Sequence, residues 1–138
     1  MFQVKVEARG PLADGTAPQI IRQALQNSVQ ALIELGDERL AMMARPRPAG
    51  VYLSYAEGGT STGNYRRNMF SEVRDLYGLI TDSGVVYGPW LEGIGSRNAT
   101  TRFKGYAMFR RTSEWLNEQA PRVAQQQITR AVAVLNGG

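Results

Sequence analysis

Two apolar stripes at helical spacing bracket a block of short β-prone runs, and this arrangement leaves the chain few folds to choose from. In the first stripe Ile20, Ile21, Ala24, Leu25, Val29, Leu32, Ile33, Leu40 and Met43 recur at three- and four-residue steps. That spacing gathers them on one helical face. Thr16-Ala17-Pro18-Gln19 reads as a capping box with proline in the first turn. Gly36-Asp37 interrupts the run, but the stripe keeps phase from Ile33 through Leu40. One helix over 17–44, carrying its glycine at a cost of about 1 kcal/mol, is therefore expected. Arg45-Pro46-Arg47-Pro48 ends it, because a residue before proline is pushed out of the helical region. The second stripe is Ala120, Val123, Ala124, Ile128, Ala131 and Leu135, preceded by a cluster of Met108, Phe109, Trp115 and Leu116. Pro121 must kink or split that helix, and Asn136-Gly137-Gly138 is a C-terminal stop.

The β-prone runs have the complementary period. Phe2, Val4, Val6 and Ala8 alternate with Gln3, Lys5 and Glu7, which predicts a half-buried strand stopped at Arg9-Gly10-Pro11. A short strand is expected over 51–55, and an antiparallel meander over 66–74, 76–82 and 85–92, with Asp82-Ser83-Gly84 as a compact turn. Gly58-Gly59-Thr60-Ser61-Thr62-Gly63-Asn64 reads as a polar loop, flexible over 56–66. The sum is an α+β domain over 1–138. An antiparallel sheet of about four strands is packed by a long N-terminal helix and a long, Pro-kinked C-terminal helix.

What the chain lacks bounds its chemistry. None of its 138 residues is histidine or cysteine. Serine–histidine and cysteine–histidine catalysis within one chain, thiolate metal sites and disulfides are thereby excluded. The twelve acids are scattered, with no oxygen-rich calcium loop. No cofactor and no enzymatic activity are expected. The opening Met1-Phe2-Gln3-Val4-Lys5 does not read as a signal peptide, and no apolar run approaches the ~18 residues of a membrane span.

Chemistry-bearing residues concentrate in 85–106. The apolar Val85-Val86-Tyr87-Gly88-Pro89-Trp90-Leu91 leads to Glu92, a Gly93-Ile94-Gly95 turn and a basic loop. Gly93-Ile94-Gly95 lacks the third glycine of a dinucleotide loop and reads as a turn. Glu92 beside Trp90 and Tyr87 could have a raised pKa, but glycoside hydrolysis needs a second carboxylate and nothing marks Asp82 as its pair. A salt bridge from Glu92 to a nearby arginine is the better reading. Residues 1–60 carry six basic and six acidic groups; residues 61–138 carry ten and six, so the whole excess of +4 lies there. From Arg97 to Arg111 five basic residues and no acid occur: Arg97, Arg102, Lys104, Arg110 and Arg111. They form either a solvated face or a surface for phosphates or an acidic partner. Trp90, Phe103, Tyr106 and Phe109 interleave with them, as in single-strand binders. At three-residue steps Phe103, Tyr106 and Phe109 read more simply as the core face of the last helix.

The order of features resembles the tail-completion (head–tail joining, minor capsid) proteins of long-tailed bacteriophages over about residues 17–135. The resemblance rests on the long helix ending before prolines, Thr62-Gly63-Asn64-Tyr65 opening a strand, Gly78-Leu79-Ile80, Tyr87-Gly88-Pro89-Trp90-Leu91-Glu92-Gly93, and Phe103-Lys104-Gly105-Tyr106 before a final helix. The chain departs from the family in a long proline-to-Thr62 spacing, so that 49–61 reads as an insertion, and in Gly88 where alanine is more typical. The resemblance implies a non-enzymatic virion component, commonly a sixfold ring, around the DNA channel and in contact with neck, connector or tail-tube proteins. Tail-terminator proteins share a similar strand–helix order, a tail-terminator or head-closure role is the alternative, and a small basic nucleic-acid-binding module is the alternative of another class. In a ring, Tyr87, Trp90, Glu92, Arg97 and Arg102 are expected at the subunit interface. Arg66, Arg67, Lys104, Arg110 and Arg111 are expected to face passing double-stranded DNA or an acidic partner. No membrane contact is expected.

Overall fold

The computed structural model describes residues 1–9, 18–44, 67–84, 88, 92–93 and 107–136. Within them the chain is an α+β fold: β1 (Gln3–Glu7), α1 (Gln19–Met43), β2 (Phe70–Arg74), β3 (Tyr77–Thr81) and α2 (Met108–Leu135). The three strands form an antiparallel sheet in the order β1-β3-β2. Gln3 lies opposite Thr81 and Glu7 opposite Tyr77 on one side of β3; Phe70 lies opposite Thr81 and Arg74 opposite Tyr77 on the other.

Alternation sorts the strand residues onto two faces. Val4, Val6, Gly78, Ile80 and Val73 point toward the helices, where Val4 and Ile80 are fully buried. Lys5, Glu7, Tyr77, Leu79, Phe70, Glu72 and Arg74 take the other face, and Phe70 is 54% exposed there. The helices lie side by side on the inner face, α1 under β3 and β2 and α2 against β1. They are antiparallel: Met43 at the end of α1 meets Thr112 near the start of α2. The Arg39 guanidinium sits 4.8 Å from the centre of the Trp115 ring. One core joins Val29, Leu32, Ile33 and Leu40 of α1 to Ile80, Met108, Phe109, Leu116 and Val123.

Two glycines set how closely the layers approach. A Cβ on Gly78 would stand 2.4 Å from Ile33 Cγ1, and one on Gly36 2.9 Å from Ile80 Cδ1 and 3.0 Å from Leu116 Cδ1. Gly36, which interrupts the sequence stripe, is thus where α1 crosses both β3 and α2, and the helix continues through it as expected. The β2–β3 turn is tied to α1: Arg22 pairs with Asp75, and Gln26 Nε2 donates to Asp75 at 2.6 Å.

Several expectations are corrected. Helix α1 begins after Pro18, which is extended (φ −51°, ψ 146°) and makes no side-chain cap bond, so Pro18 precedes the helix instead of filling its first turn; Thr16 lies outside the described residues. The run 85–92 is not a third meander strand at its described positions, since Gly88 and Glu92 are helical. Its place beside β3 is taken by β1 from the far end of the sequence. Pro121 does not split α2, which is assigned unbroken over 28 residues, with Pro121 on its exposed side. Helix α2 is longer than the 25-residue α1, and its last turn leaves the core: Leu135, expected inward, is 54% exposed. Of the three rings expected on the core face of the last helix, Phe109 is there and buried, while Phe103 and Tyr106 lie outside the described residues. The strand expected over 51–55 and the loop at 56–66 lie outside the described residues.

Candidate functional site

Glu92 is drawn into the fold by the start of α2. A helix begins with backbone N–H groups that have no intrahelical partner. Here the residue before the helix, Ala107, is left-handed (φ 48°, ψ 43°) and supplies no side-chain cap. The Phe109 N–H donates instead to Glu92 Oε1 at 2.6 Å, and the Arg110 N–H also bonds to this carboxylate. A residue seventeen positions upstream therefore does the work of a capping side chain and sets a negative group at the positive end of the helix.

The electrostatics of Glu92 are those of a buried group. It is 7% exposed. Burial raises its pKa above the ordinary glutamate value; the two backbone amides and the Arg110 charge oppose the rise, and the Asp82 carboxylate adds to it. Asp82 is also committed to backbone. At 1% exposure its Oδ1 accepts the Phe2 N–H at 3.2 Å and the Gly84 N–H at 2.9 Å, while the Asp82 N–H donates to the Phe2 carbonyl at 3.2 Å. The turn that follows has φ +60° at Ser83 and +73° at Gly84. Gly88 packs on this carboxylate so closely that a Cβ there would lie 2.5 Å from Asp82 Oδ2. Glycine at position 88 thus has a steric reason.

These two acids are near enough to feel each other, and Glu92 lines a cavity. A cleft of about 300 Å³ is lined by Phe2, Gln3, Glu92, Phe109, Arg110 and Ser113. Asp82 does not line this cleft. Among the described residues no group of three or more metal-ligating side chains occurs. A larger groove, about 480 Å³, runs beneath β1 between the two helices and is lined by Val4, Val6, Leu25, Val29, Leu32 and Leu116 among others.

Of the residues expected at a subunit interface, Tyr87, Trp90, Arg97 and Arg102 lie outside the described residues, and Glu92 is buried on the chain's own helix. Of those expected to face DNA or an acidic partner, Arg66 and Lys104 lie outside the described residues. Arg67 and Arg110 are exposed and Arg111 is half-buried. Arg110 and Arg111 share the first turn of α2, whereas Arg67 precedes β2. The sequence marks Asp82 as a turn residue and an unmarked partner for Glu92, but not as the acceptor of the Phe2 N–H, and it does not single out the charges of the two outer strands. The regular alternation of Lys5 and Glu7, and of Glu72 and Arg74, was the signal available for the latter. No described helix is long and apolar enough to cross a membrane. Compared with family models, curated proteins and solved structures, the chain matches none.

Proposed function

We propose that the chain is a structural subunit of a phage particle, a tail-completion protein that forms part of a ring around the DNA channel where head and tail join. The observation that carries the reading is the sheet's two different unpaired sides. Among the described residues β1 and β2 are each paired on one side only, and they stand on opposite sides of the domain. A closed ring requires two unlike surfaces that match head to tail. A second support is the use made of Glu92, the one acid in the aromatic stretch: its carboxylate accepts the Phe109 N–H and so ties this stretch to the start of the last helix. The third is the sequence resemblance itself. Tail termination and head closure use the same kind of subunit and are variants of this reading.

Mass spectrometry of purified particles tests it. The chain is expected in every particle at a fixed copy number, in the virion fraction and in contact with neck, connector or tail-tube proteins. Its absence from purified particles would defeat the reading. Salt-sensitive binding of free nucleic acid by the isolated chain, in that case, would instead favour the basic nucleic-acid module.

A further inference from the structure

We infer that copies of this chain join by strand addition, with β2 of one copy laid parallel to β1 of the next, in a register selected by the charges of the two strands. The pairing is read from backbone geometry and does not depend on the ring reading; the closure of the chain of copies into a ring does rest on it.

The backbone shows which groups are available. The Ala8 N–H donates to the Leu76 carbonyl and the Asp82 N–H to the Phe2 carbonyl, so the even-numbered residues of β1 point their N–H and C=O toward β3. Alternation then aims those of Gln3, Lys5 and Glu7 away from β3, at the side left unpaired among the described residues. On β3 the intervening residues Tyr77, Leu79 and Thr81 serve Arg74, Glu72 and Phe70, which leaves Ser71 and Val73 aimed outward on β2. Both outer strands run antiparallel to β3 and hence parallel to each other. A head-to-tail copy accordingly brings β2 and the next β1 together in parallel.

In a parallel pair a residue donates to the neighbour before its opposite number and accepts from the one after it. Ser71 and Val73 can bond to Gln3, Lys5 and Glu7 of the next copy only if they stand opposite even-numbered residues. That condition also keeps Val73 on the helix side, at the groove beneath β1, since a slip of one residue would reverse every face. Three registers meet it. With Ser71 opposite Val4 and Val73 opposite Val6, Glu72 meets Lys5 and Arg74 meets Glu7. A slip of two residues one way sets Arg74 against Lys5; a slip the other way sets Glu72 against Glu7 and Arg74 against Arg9. Only the first register pairs opposite charges throughout. Charges on an edge strand ordinarily deter pairing; alternating in sign, these admit one partner register and reject its neighbours.

Because the chain has no cysteine, introduced thiols report the contact directly. On oxidation of the concentrated full chain, a mixture of K5C and E72C should give a disulfide-linked dimer that neither variant gives alone, and the double variant K5C/E72C should give a ladder of oligomers. In the absence of thiols, K5E or E72K alone should weaken association roughly 2- to 30-fold, and K5E with E72K in one chain should restore it. Dimers from K5C/E7C or E72C/R74C without a 5–72 product would show two-fold pairing of like edges and overturn the inference. So would oligomers that form without any 5–72 product, an outcome that leaves the ring reading standing. A chain that gives no linked species and is absent from particles overturns both.

Discussion

Replacing Glu92 separates its two contributions, as a hydrogen-bond acceptor and as a charge. In Glu92→Ala the Phe109 and Arg110 amides at the start of α2 lose their acceptor. A buried donor left unsatisfied costs about 1–3 kcal/mol, and loss of a cap about 0.5–2 kcal/mol. The adjacent cleft of about 300 Å³ admits water that recovers part of this. A net loss of about 2 kcal/mol follows, or a fall in Tm of roughly 6–10 °C for a domain of this size. Glu92→Gln keeps an acceptor oxygen and gives up the charge. The helix end favours that charge by about 0.3–1 kcal/mol, but the raised pKa means that burial outweighs the favourable terms. Glu92→Gln should therefore stay within about 1 kcal/mol of the parent. The pH dependence follows in sign. With the folded pKa above the unfolded one, the native state holds the proton more tightly. The stabilisation is fully present below the unfolded value near 4.5 and is lost as pH rises through the raised folded value. Urea titrations at successive pH values should show this fall in the parent and not in Glu92→Gln. A Gln variant as unstable as the Ala variant, or a parent whose Glu92-dependent stability rises across that window, would refute the reasoning.

The other predictions concern close approaches and neighbouring charge. Gly88→Ala drives a methyl into the Asp82 carboxylate and should cost about 1–3 kcal/mol by urea unfolding. Gly78→Ala should cost a similar 1–3 kcal/mol because Ile33 is fixed in the core. Gly36→Ala, which meets only the ends of the Ile80 and Leu116 side chains and gains about 1 kcal/mol in helix propensity, should stay within about 1 kcal/mol of the parent. Arg110→Gln removes a charge that favours ionised Glu92, so the Glu92 carboxyl should titrate higher still by NMR and the loss of stability with rising pH should deepen.

How much the sequence disclosed depended on whether the physics was local. Helix α1 and the β2–β3 hairpin were legible because 3.6- and 2-residue periods are written in neighbouring residues, and Gly36 did not disturb the phase. The sheet order was not, because β1 reaches β3 across more than seventy residues and nothing local in Gln3–Glu7 names its partner. The same long-range choice gives the place beside β3 to β1, and Gly88 and Glu92 are helical: a short apolar run does not distinguish strand from helix. Leu135 kept the stripe's spacing, but the length of α1 decides where burial stops. At the candidate site, Glu92 was singled out for its aromatic neighbours, and its use depends on an N–H donor seventeen residues away. The αL residue Ala107, which leaves that helix start uncapped, carries no compositional mark.

The central claim, that this chain is a ring component at the head–tail joint, is tested most directly by electron microscopy of purified particles bearing a gold label on the chain. Label confined to the joint and arranged around the channel axis is the expected result. Particles that carry no label, or label scattered over the capsid shell, would contradict it.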